Sequence, residues 1–410
     1  MRKSLIVLGS TGSIGRQTLE VVSHLNALHA RGQSPLAIDI VGLAAGNNRE
    51  LLLAQAREHG VHTVALACAP EGKHTDDTIT IIGGQHSAHH MVESIKCDMV
   101  VAAMVGVAGL PATLAAIARG CDVALANKET LVAAGTVIVP AAKSSGSNLL
   151  PVDSEHAGVW ECLWSRIREA PPLTLPASVR RVVLTASGGP FRTWPMQAME
   201  RATPHEASMH PTWKMGGKVT LDSASLMNKG LELIEAHWLF GIPAENLDAV
   251  IHPQSIVHAI LDFHDGSTLA QLAHPDMRLP IHSALVFPDH APGMVRPLDL
   301  SVVSQLTFEP VDPIRFPAVA LAKDVVVRSA THPGIGAWFN ASNEVLGESF
   351  LRGEIGFLDI ARGVREVVET IAGGPSANAP IVTLQDVQQA DALARAAALT
   401  WIRSRSTVTT

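Results

Sequence analysis

The chain is poor in charge, in aromatic residues and in cysteine, and most of these shortages exclude something. Only 17% of its 410 residues are charged against 47% hydrophobic, which excludes general disorder and indicates a folded protein with more than one core. Lysine and arginine number 31 against 38 acidic residues, and the net charge of -7 argues against nonspecific nucleic-acid binding while leaving room for a local cationic pocket. The four cysteines, Cys68, Cys97, Cys121 and Cys162, are too scattered for a disulfide framework or a zinc site and read as buried thiols of a reducing cytoplasm. Tyrosine is absent altogether, which by itself implies nothing. The longest apolar run, residues 99–118, is broken by Gly106, Gly109, Pro111 and Thr113, so strand, turn and helix describe it better than a membrane span. The first residues run straight into the strand candidate Leu5-Ile6-Val7-Leu8 and leave no room for a signal peptide, so a cytoplasmic protein is expected.

What is present is alternation. Short runs of Val, Ile and Ala at Leu5–Leu8, Ile38–Ala44, Val64–Ala67, Met99–Ala103 and Val123–Ala126 alternate with longer helical patterns, which predicts a parallel sheet with helices on both faces over residues 1–150. Residues 151–287 read as a mixed α+β region with strands at Val182–Thr185, Ala249–Ile251, Ser255–Leu261 and Ser267–Leu272, the last two joined by a hairpin at His264-Asp265-Gly266. Prolines gather over residues 288–313 and suggest a connecting arm rather than a packed element. From 314 to 410 the apolar spacing is helical and predicts a small bundle. No fixed-period repeat is visible.

Gly9-Ser10-Thr11-Gly12-Ser13-Ile14-Gly15 follows a strand and opens a helix, the context in which glycines permit a tight turn and the helix N-terminus faces a pyrophosphate. A plain strand-to-helix turn is the competing reading. After the second strand, Gly46-Asn47-Asn48-Arg49 carries no acidic residue for the ribose hydroxyls. NADP is therefore favoured over NAD, with Arg49 either offsetting a 2′-phosphate or simply solvated in a first helical turn.

The densest polar window runs from His210 to Glu232. Its second half reads as a helix entered through Asp222 or Ser223, with Asn228 and Glu232 on one face. Ser223, Asn228 and Lys229 offer the hydroxyl, amide and cationic donors that suit a phosphate monoester. Asp153 and Glu155, two apart in what reads as an extended segment, point to one side; with Glu232 they would make an all-oxygen site for Mg²⁺ or Mn²⁺. The bland readings are a polar surface helix for the window and an acidic first turn for the pair. His86 and His90, also on one predicted helix face, read as solvated rather than as a metal site, and Trp160, Trp164, Trp194 and Trp238 as core or interface fillers.

Together, the glycine turn, Leu125–Glu129, Pro151–His156, Ser187–Phe191, the 210–232 window, Gln271–Arg278 and Asn340–Glu344 resemble 1-deoxy-D-xylulose 5-phosphate reductoisomerases, in the right order and over nearly the whole chain. The resemblance implies an NADPH- and divalent-metal-dependent oxidoreductase and isomerase. A ketose phosphate skeleton is rearranged, by retro-aldol cleavage or a 1,2-shift, and the resulting aldehyde is reduced. It implies that Asp153, Glu155 and Glu232 bind metal and that Lys128, Ser154, Ser187, His210, Ser223, Asn228 and Lys229 contact substrate. Thr11, Gly12, Ser13, Ile14, Gly46, Asn47, Asn48, Asn127, Glu129 and Gly216 would contact the cofactor. A mobile lid over about 206–217 would carry Trp213 above the substrate, with Met215 near the nicotinamide, and the assembly would be a homodimer. Three positions depart from the family pattern: Asn47 stands where lysine is frequent, which puts NADP selectivity in question, Ala186 where glycine is frequent, and Ser342 where alanine is frequent. Two other readings stay open. One is an ordinary NADP-dependent dehydrogenase with structural carboxylates, indifferent to chelator; the other is an NADP-binding scaffold without turnover.

Overall fold

The computed structural model describes residues 2–164, 166–209 and 216–406. The expected lid positions His210, Trp213 and Met215 lie outside the described residues.

The apolar runs of the first 150 residues form an eight-stranded sheet: β1 (Arg2–Leu8), β2 (Ala37–Ala45), β3 (Thr63–Leu66), β4 (Gly72–Asp76), β5 (Ile79–Gly83), β6 (Met99–Ala102), β7 (Asp122–Leu125) and β8 (Leu149–Pro151), in the order β4-β5-β3-β2-β1-β6-β7-β8. All neighbours are parallel except β4, which pairs antiparallel with β5 at the edge. The near-continuous burial of Leu5–Leu8, Val64–Leu66 and Met99–Ala102 is what a parallel sheet covered on both faces requires. The first crossover helix, Ser13–Ala30, buries Thr18, Leu19, Val21, Val22, Leu25 and Leu28, a helical stripe laid on the sheet. The sequence reading did not include β4, β5 or β8, although Ile79–Gly83 is a buried apolar run. β4 is mostly exposed and polar, and β8 is three residues long, so neither carries an alternating pattern.

A second sheet has the order β12-β11-β9-β10-β13, built from β9 (Val179–Ala186), β10 (Leu247–Ile251), β11 (Val257–Phe263), β12 (Thr268–Leu272) and β13 (Glu309–Pro310). The hairpin expected at His264–Gly266 joins β11 to β12, with Gly266 at φ +87°. The expectation of an unpacked arm over 288–313 needs correction, because Glu309 and Pro310 pair with Ile251 and Val250 and complete the sheet edge. Proline is tolerated there because an edge strand has one side without ladder bonds.

The C-terminal helices Ala318–Arg328, Ile335–Leu351, Phe357–Ala372 and Leu384–Ser406 form the predicted bundle. It is not detached from the rest: a Cβ on Gly336 would stand 2.1 Å from the Val132 carbonyl oxygen, so the helix Ile335–Leu351 lies backbone to backbone on Lys128–Ser145. No described helix is long and apolar enough to cross a membrane. Trp160 is buried, with Trp164 edge-on to its ring and Phe287 tilted against it, while Trp194 and Trp238 are partly buried against the core. Cys97, Cys121 and Cys162 are buried as expected, but Cys68 is exposed. It follows β3 by two residues, where the strand has already left the core.

Candidate functional site

The carboxyl ends of the parallel strands deliver the predicted groups to one place. Gly9 follows β1, Asn48 caps the helix after β2, Lys128 opens the helix after β7, and Asp153 follows β8. Loops at this edge are where open α/β sheets bind ligands.

On the nucleotide side, the main-chain N–H groups of Gly9 and Ser10 both donate to Ala44 O at 2.9 Å, and Gly12 N donates to Gly9 O at 3.0 Å. Gly12 is the N-cap of the helix Ser13–Ala30 and has no side-chain cap, so its first-turn N–H groups face outward beside Thr11, Ser13 and Ile14. An added Cβ on Gly46 or Gly216 would meet nothing within 4 Å, so open space lies along this edge. Asn48 Oδ1 accepts from Leu51 N, and Asn127 Oδ1 accepts from Thr130 N while Asn127 Nδ2 donates to Met104 O and Gly106 O. Asn127 thus fixes the turn after β6, with Glu129 in the first turn that follows. Arg49 stands exposed in the first helical turn and pairs with Asp76 at 2.7 Å on the β4–β5 hairpin, and Arg57 binds the other oxygen at 3.0 Å. Asn47 is exposed at the strand end. His89 pairs with Glu93 at 3.4 Å, and His86 and His90 belong to no metal-competent cluster among the described residues.

The acidic site is assembled by two helix starts. The expectation that Asp153 and Glu155 lie in an extended segment is corrected: Asp153 O already accepts from Ala157 N, and Ser154–Trp164 is a helix with Glu155 in its first turn. The carboxylates still converge, because Asp153 at the helix entrance and Glu155 inside it both face Glu232. The three groups place one oxygen each within 4.8 Å of one another. The 217–240 stretch is likewise two helices, Gly217–Ala224 and Met227–Phe240, broken at Leu226 with φ +56°. Ser223 therefore ends one helix rather than capping the next, while Asn228, Lys229 and Glu232 share the first turns of the second, and Asn228 Nδ2 donates to Glu232 Oε1.

Two buried lysines meet the acids. Lys128 Nζ lies 2.5 Å from Asp153 Oδ2 and 2.9 Å from both Glu232 Oε1 and Asn228 Oδ1. Lys229 Nζ lies 2.6 Å from Glu155 Oε1 and also contacts Glu232 Oε2. Burial alone would lower both ammonium groups, yet the surrounding carboxylates hold Lys128 well above, and Lys229 above, the ordinary lysine value. Burial pushes Asp153 upward, but Lys128 and His156 outweigh it and leave Asp153 at about 2. Glu155 moves the other way, raised by burial and by the charge of Glu232 against the pull of Lys229. The donor set fits a hard divalent ion: three carboxylates, all oxygen, clustered and with few neutral donors between them.

Ser187 follows β9, and its Oγ accepts from Gly189 N at 3.2 Å. Gly189 has φ +63°, and a Cβ there would stand 2.5 Å from Ser223 O. This close approach brings the Ser187 loop against Ser223. Ser154 Oγ donates to Glu155 Oε2 at 2.6 Å.

The sequence reading missed three supporting groups. His156 Nε2 donates to Glu232 O at 2.8 Å, and its Nδ1 faces Glu235 Oε2 at 3.4 Å, tying the two acidic helix starts together. Burial raises Glu235 to about 7. Glu235 was detectable only as a second acid one turn beyond Glu232, and His156 as part of the run that gave Asp153 and Glu155. Third, Lys218 binds Asp222, which also accepts from Asn343 Nδ2 at 3.1 Å, so the C-terminal bundle braces the helix that ends in Ser223.

Behind the acids, His258 on β11 is held neutral: burial lowers it from 6.5 to about 4, despite a backbone hydrogen bond at Ala273. Because the unfolded chain takes up that proton first, the contribution is present above pH 6.5 and is lost as pH falls through about 4. His258→Gln is expected to flatten the acid limb of the thermal-midpoint profile across this window, by the equivalent of up to about 3 kcal/mol. An unchanged acid limb in the variant would remove His258 from the account.

Family models for 1-deoxy-D-xylulose 5-phosphate reductoisomerase match residues 5–135, for its C-terminal domain residues 149–240, and for the DXP reductoisomerase C-terminal domain residues 272–397. The 1-deoxy-D-xylulose 5-phosphate reductoisomerase of Thermomicrobium roseum is 44% identical, covering 97% of each chain. That of Chlorobium phaeovibrioides is 42% identical over 98% of this chain and 100% of its own. Among solved structures, the enzyme from Zymomonas mobilis in complex with NADPH aligns with a TM-score of 0.84 at 35% identity, covering 98% of this chain and 100% of its own. A DOX-P reductoisomerase in complex with NADPH, fosmidomycin and magnesium aligns at 0.83 and 32% identity, covering 98% of each chain.

Proposed function

The chain belongs to the 1-deoxy-D-xylulose 5-phosphate reductoisomerase family, and from that membership we infer that it converts 1-deoxy-D-xylulose 5-phosphate to 2-C-methyl-D-erythritol 4-phosphate with NADPH and magnesium, a step of non-mevalonate isoprenoid synthesis. The observation that carries this reading is the convergence of Asp153, Glu155 and Glu232 with Lys128 and Lys229, beside a glycine turn at the carboxyl edge of one sheet. An ordinary dehydrogenase has no use for three clustered carboxylates there.

When bound, the divalent ion supplies Lewis-acid stabilisation of negative charge on the substrate oxygens, and NADPH supplies the hydride that reduces the rearranged aldehyde. Asp153, Glu155 and Glu232 would hold the ion, which manganese can replace. Lys128, 2.5 Å from Asp153 and 2.9 Å from Glu232, would donate hydrogen bonds to substrate oxygens beside the ion. Ser187, Ser223, Asn228 and Lys229 grip the phosphate, Ser154 orients Glu155 and contacts substrate, and His210 and Trp213 close over it. The glycine turn with Thr11, Gly12, Ser13 and Ile14 takes the pyrophosphate, while Gly46, Asn47, Asn48, Asn127, Glu129 and Gly216 line the rest of the cofactor. In this reading residues 1–150 are the cofactor domain, 151–287 the catalytic domain through which a cytoplasmic homodimer forms, 288–313 the arm and 314–410 the helical domain.

The test is loss of NADPH absorbance with 1-deoxy-D-xylulose 5-phosphate as substrate. Turnover should require added Mg²⁺, stop with chelator, and be inhibited by fosmidomycin, the compound bound in two solved relatives. Chelator-insensitive turnover would favour the plain dehydrogenase. A narrower prediction concerns the phosphate grip. Gly189→Ala forces the Ser187 loop away from Ser223, and should raise KM for the substrate at least about tenfold without moving the NADPH dissociation constant. Equal loss of both affinities would mean general misfolding instead.

A further inference from the structure

Two of the four cysteines, 24 residues apart in sequence, come together at the amino end of the parallel sheet, opposite the carboxylates. Cys97 precedes β6 and Cys121 precedes β7, and the pairing of Met99 with Asp122 makes these two entrances neighbours. The sulfurs lie 3.5 Å apart, and Cys121 Sγ also donates to Cys97 O at 3.1 Å. Both are buried, Cys97 at 8% and Cys121 at 3% relative exposure, so a small neutral oxidant reaches them more readily than a bulky one. By the Met99–Asp122 register Cys121 stands opposite Asp98, so Cys97 is its diagonal neighbour; a pair one residue off across strands about 4.8 Å apart stays within the Cα separation a disulfide spans, and the sulfurs need to approach by only about 1.5 Å.

The surroundings favour a reactive sulfur at Cys121. The hydrogen bond with Cys97 and then the neighbouring Arg119 guanidinium, itself fixed to Glu93 O at 2.6 Å, favour the thiolate at Cys121 against burial, and the same pairing pushes the Cys97 thiol up. Cys162 is the opposite case, pushed up to about 12 by burial and then by Glu161, and has no second thiol near it in sequence or on its helix.

We propose that Cys97 and Cys121 form a peroxide-oxidisable dithiol that closes into an intramolecular disulfide and staples the entrances of β6 and β7. The Cys121 thiolate attacks one peroxide oxygen; the O–O bond breaks, hydroxide leaves and takes up a proton as water, and a sulfenic acid remains on Cys121. The Cys97 sulfur then attacks that sulfenyl sulfur, an S–S bond forms, the S–O bond breaks, and a second water leaves with the Cys97 proton. Two thiols and one hydrogen peroxide thus give one disulfide and two waters. The staple closes the segment that carries the turn held by Asn127, through Met104 O and Gly106 O, while lying at the far end of the strands from the acidic site. Oxidation is therefore a stabilising event rather than an inactivating one.

The experiment uses the full chain carrying Cys68→Ser, which removes the exposed thiol, treated with hydrogen peroxide and then denatured for thiol titration and peptide mapping. Three titratable thiols should fall to one, the intact mass should drop by about two hydrogens, and one peptide pair should be joined through Cys97 and Cys121. The thermal midpoint should rise by at least about 2 °C and return on reduction, as expected for closing a loop of this length. In the Cys97→Ser background the reaction should stop at a Cys121 sulfenic acid that dimedone traps. Peptide maps of the oxidised chain that show Cys97 and Cys121 still as thiols, or oxidised singly without a joined peptide, would overturn the proposal without needing the second variant to fold.

Discussion

Replacing Glu232 by glutamine lowers magnesium-dependent turnover by at least about a hundredfold while leaving the fold in place. Glu232 is 1% exposed and receives Lys128, Lys229 and Asn228 together, so it is the hub of the acidic site rather than one of three equivalent acids. Glutamine preserves the shape and removes one negative charge. The remaining oxygen accepts only one ammonium group, and the amide N–H₂ now faces a lysine. With one carboxylate fewer, the site binds a divalent ion less tightly, and the two lysines keep only Asp153 and Glu155 as direct ion-pair partners among the described residues. The check is turnover against Mg²⁺ concentration for both proteins, with the thermal midpoint in chelator as the folding control. A glutamine variant that keeps its metal dependence and its rate within a few-fold would mean that Glu232 is a structural acid, and the three-carboxylate assignment would fall with it.

Gly9→Ala is expected to weaken NADPH binding on the order of a hundredfold. Gly9 has φ +81°, where L side chains are strained, and the added Cβ would stand 2.4 Å from Ala103 O and 3.2 Å from Met104 N. Both obstacles are main chain and cannot rotate aside. The turn must therefore shift, and with it the Gly9 and Ser10 N–H bonds to Ala44 O that set the start of the following helix, the proposed pyrophosphate seat. NADPH fluorescence titration measures the loss. Protection by Mg²⁺ against thermal unfolding should persist, because the acids stand on other strands and helices. An unchanged NADPH affinity would show that the turn is only a chain reversal.

Much of this was legible in the residues. Parallel strands announce themselves as buried apolar runs, glycine turns as glycines after a strand, and the second helix of the polar window as amide, lysine and acid at helical spacing. Elements without such a signature went unseen: the polar β4, the three-residue β8 and the two-residue β13 pair through main-chain groups that any residue offers. The break at Leu226 was invisible for a related reason. A non-glycine residue at φ +56° is held there by its surroundings, in a helical pattern that otherwise runs on.

The sequence by itself determined the chemistry available, because residue types in order set which donors, acids and glycines exist and which local backbone forms they prefer. It therefore supplied the glycine-rich turn, the three acids and the resemblance that led to the family. Only the tertiary structure decided how the groups meet. Asp153 and Glu155 reach Glu232 from a separate helix start, His156 and Glu235 lock those starts together, Arg49 turns to Asp76, and Cys97 meets Cys121 across two strands. Those pairings depend on strand order and on the close passage of main chains at Gly189 and Gly336. Such long-range geometry is fixed by packing of the whole chain and leaves no periodic trace in any local window.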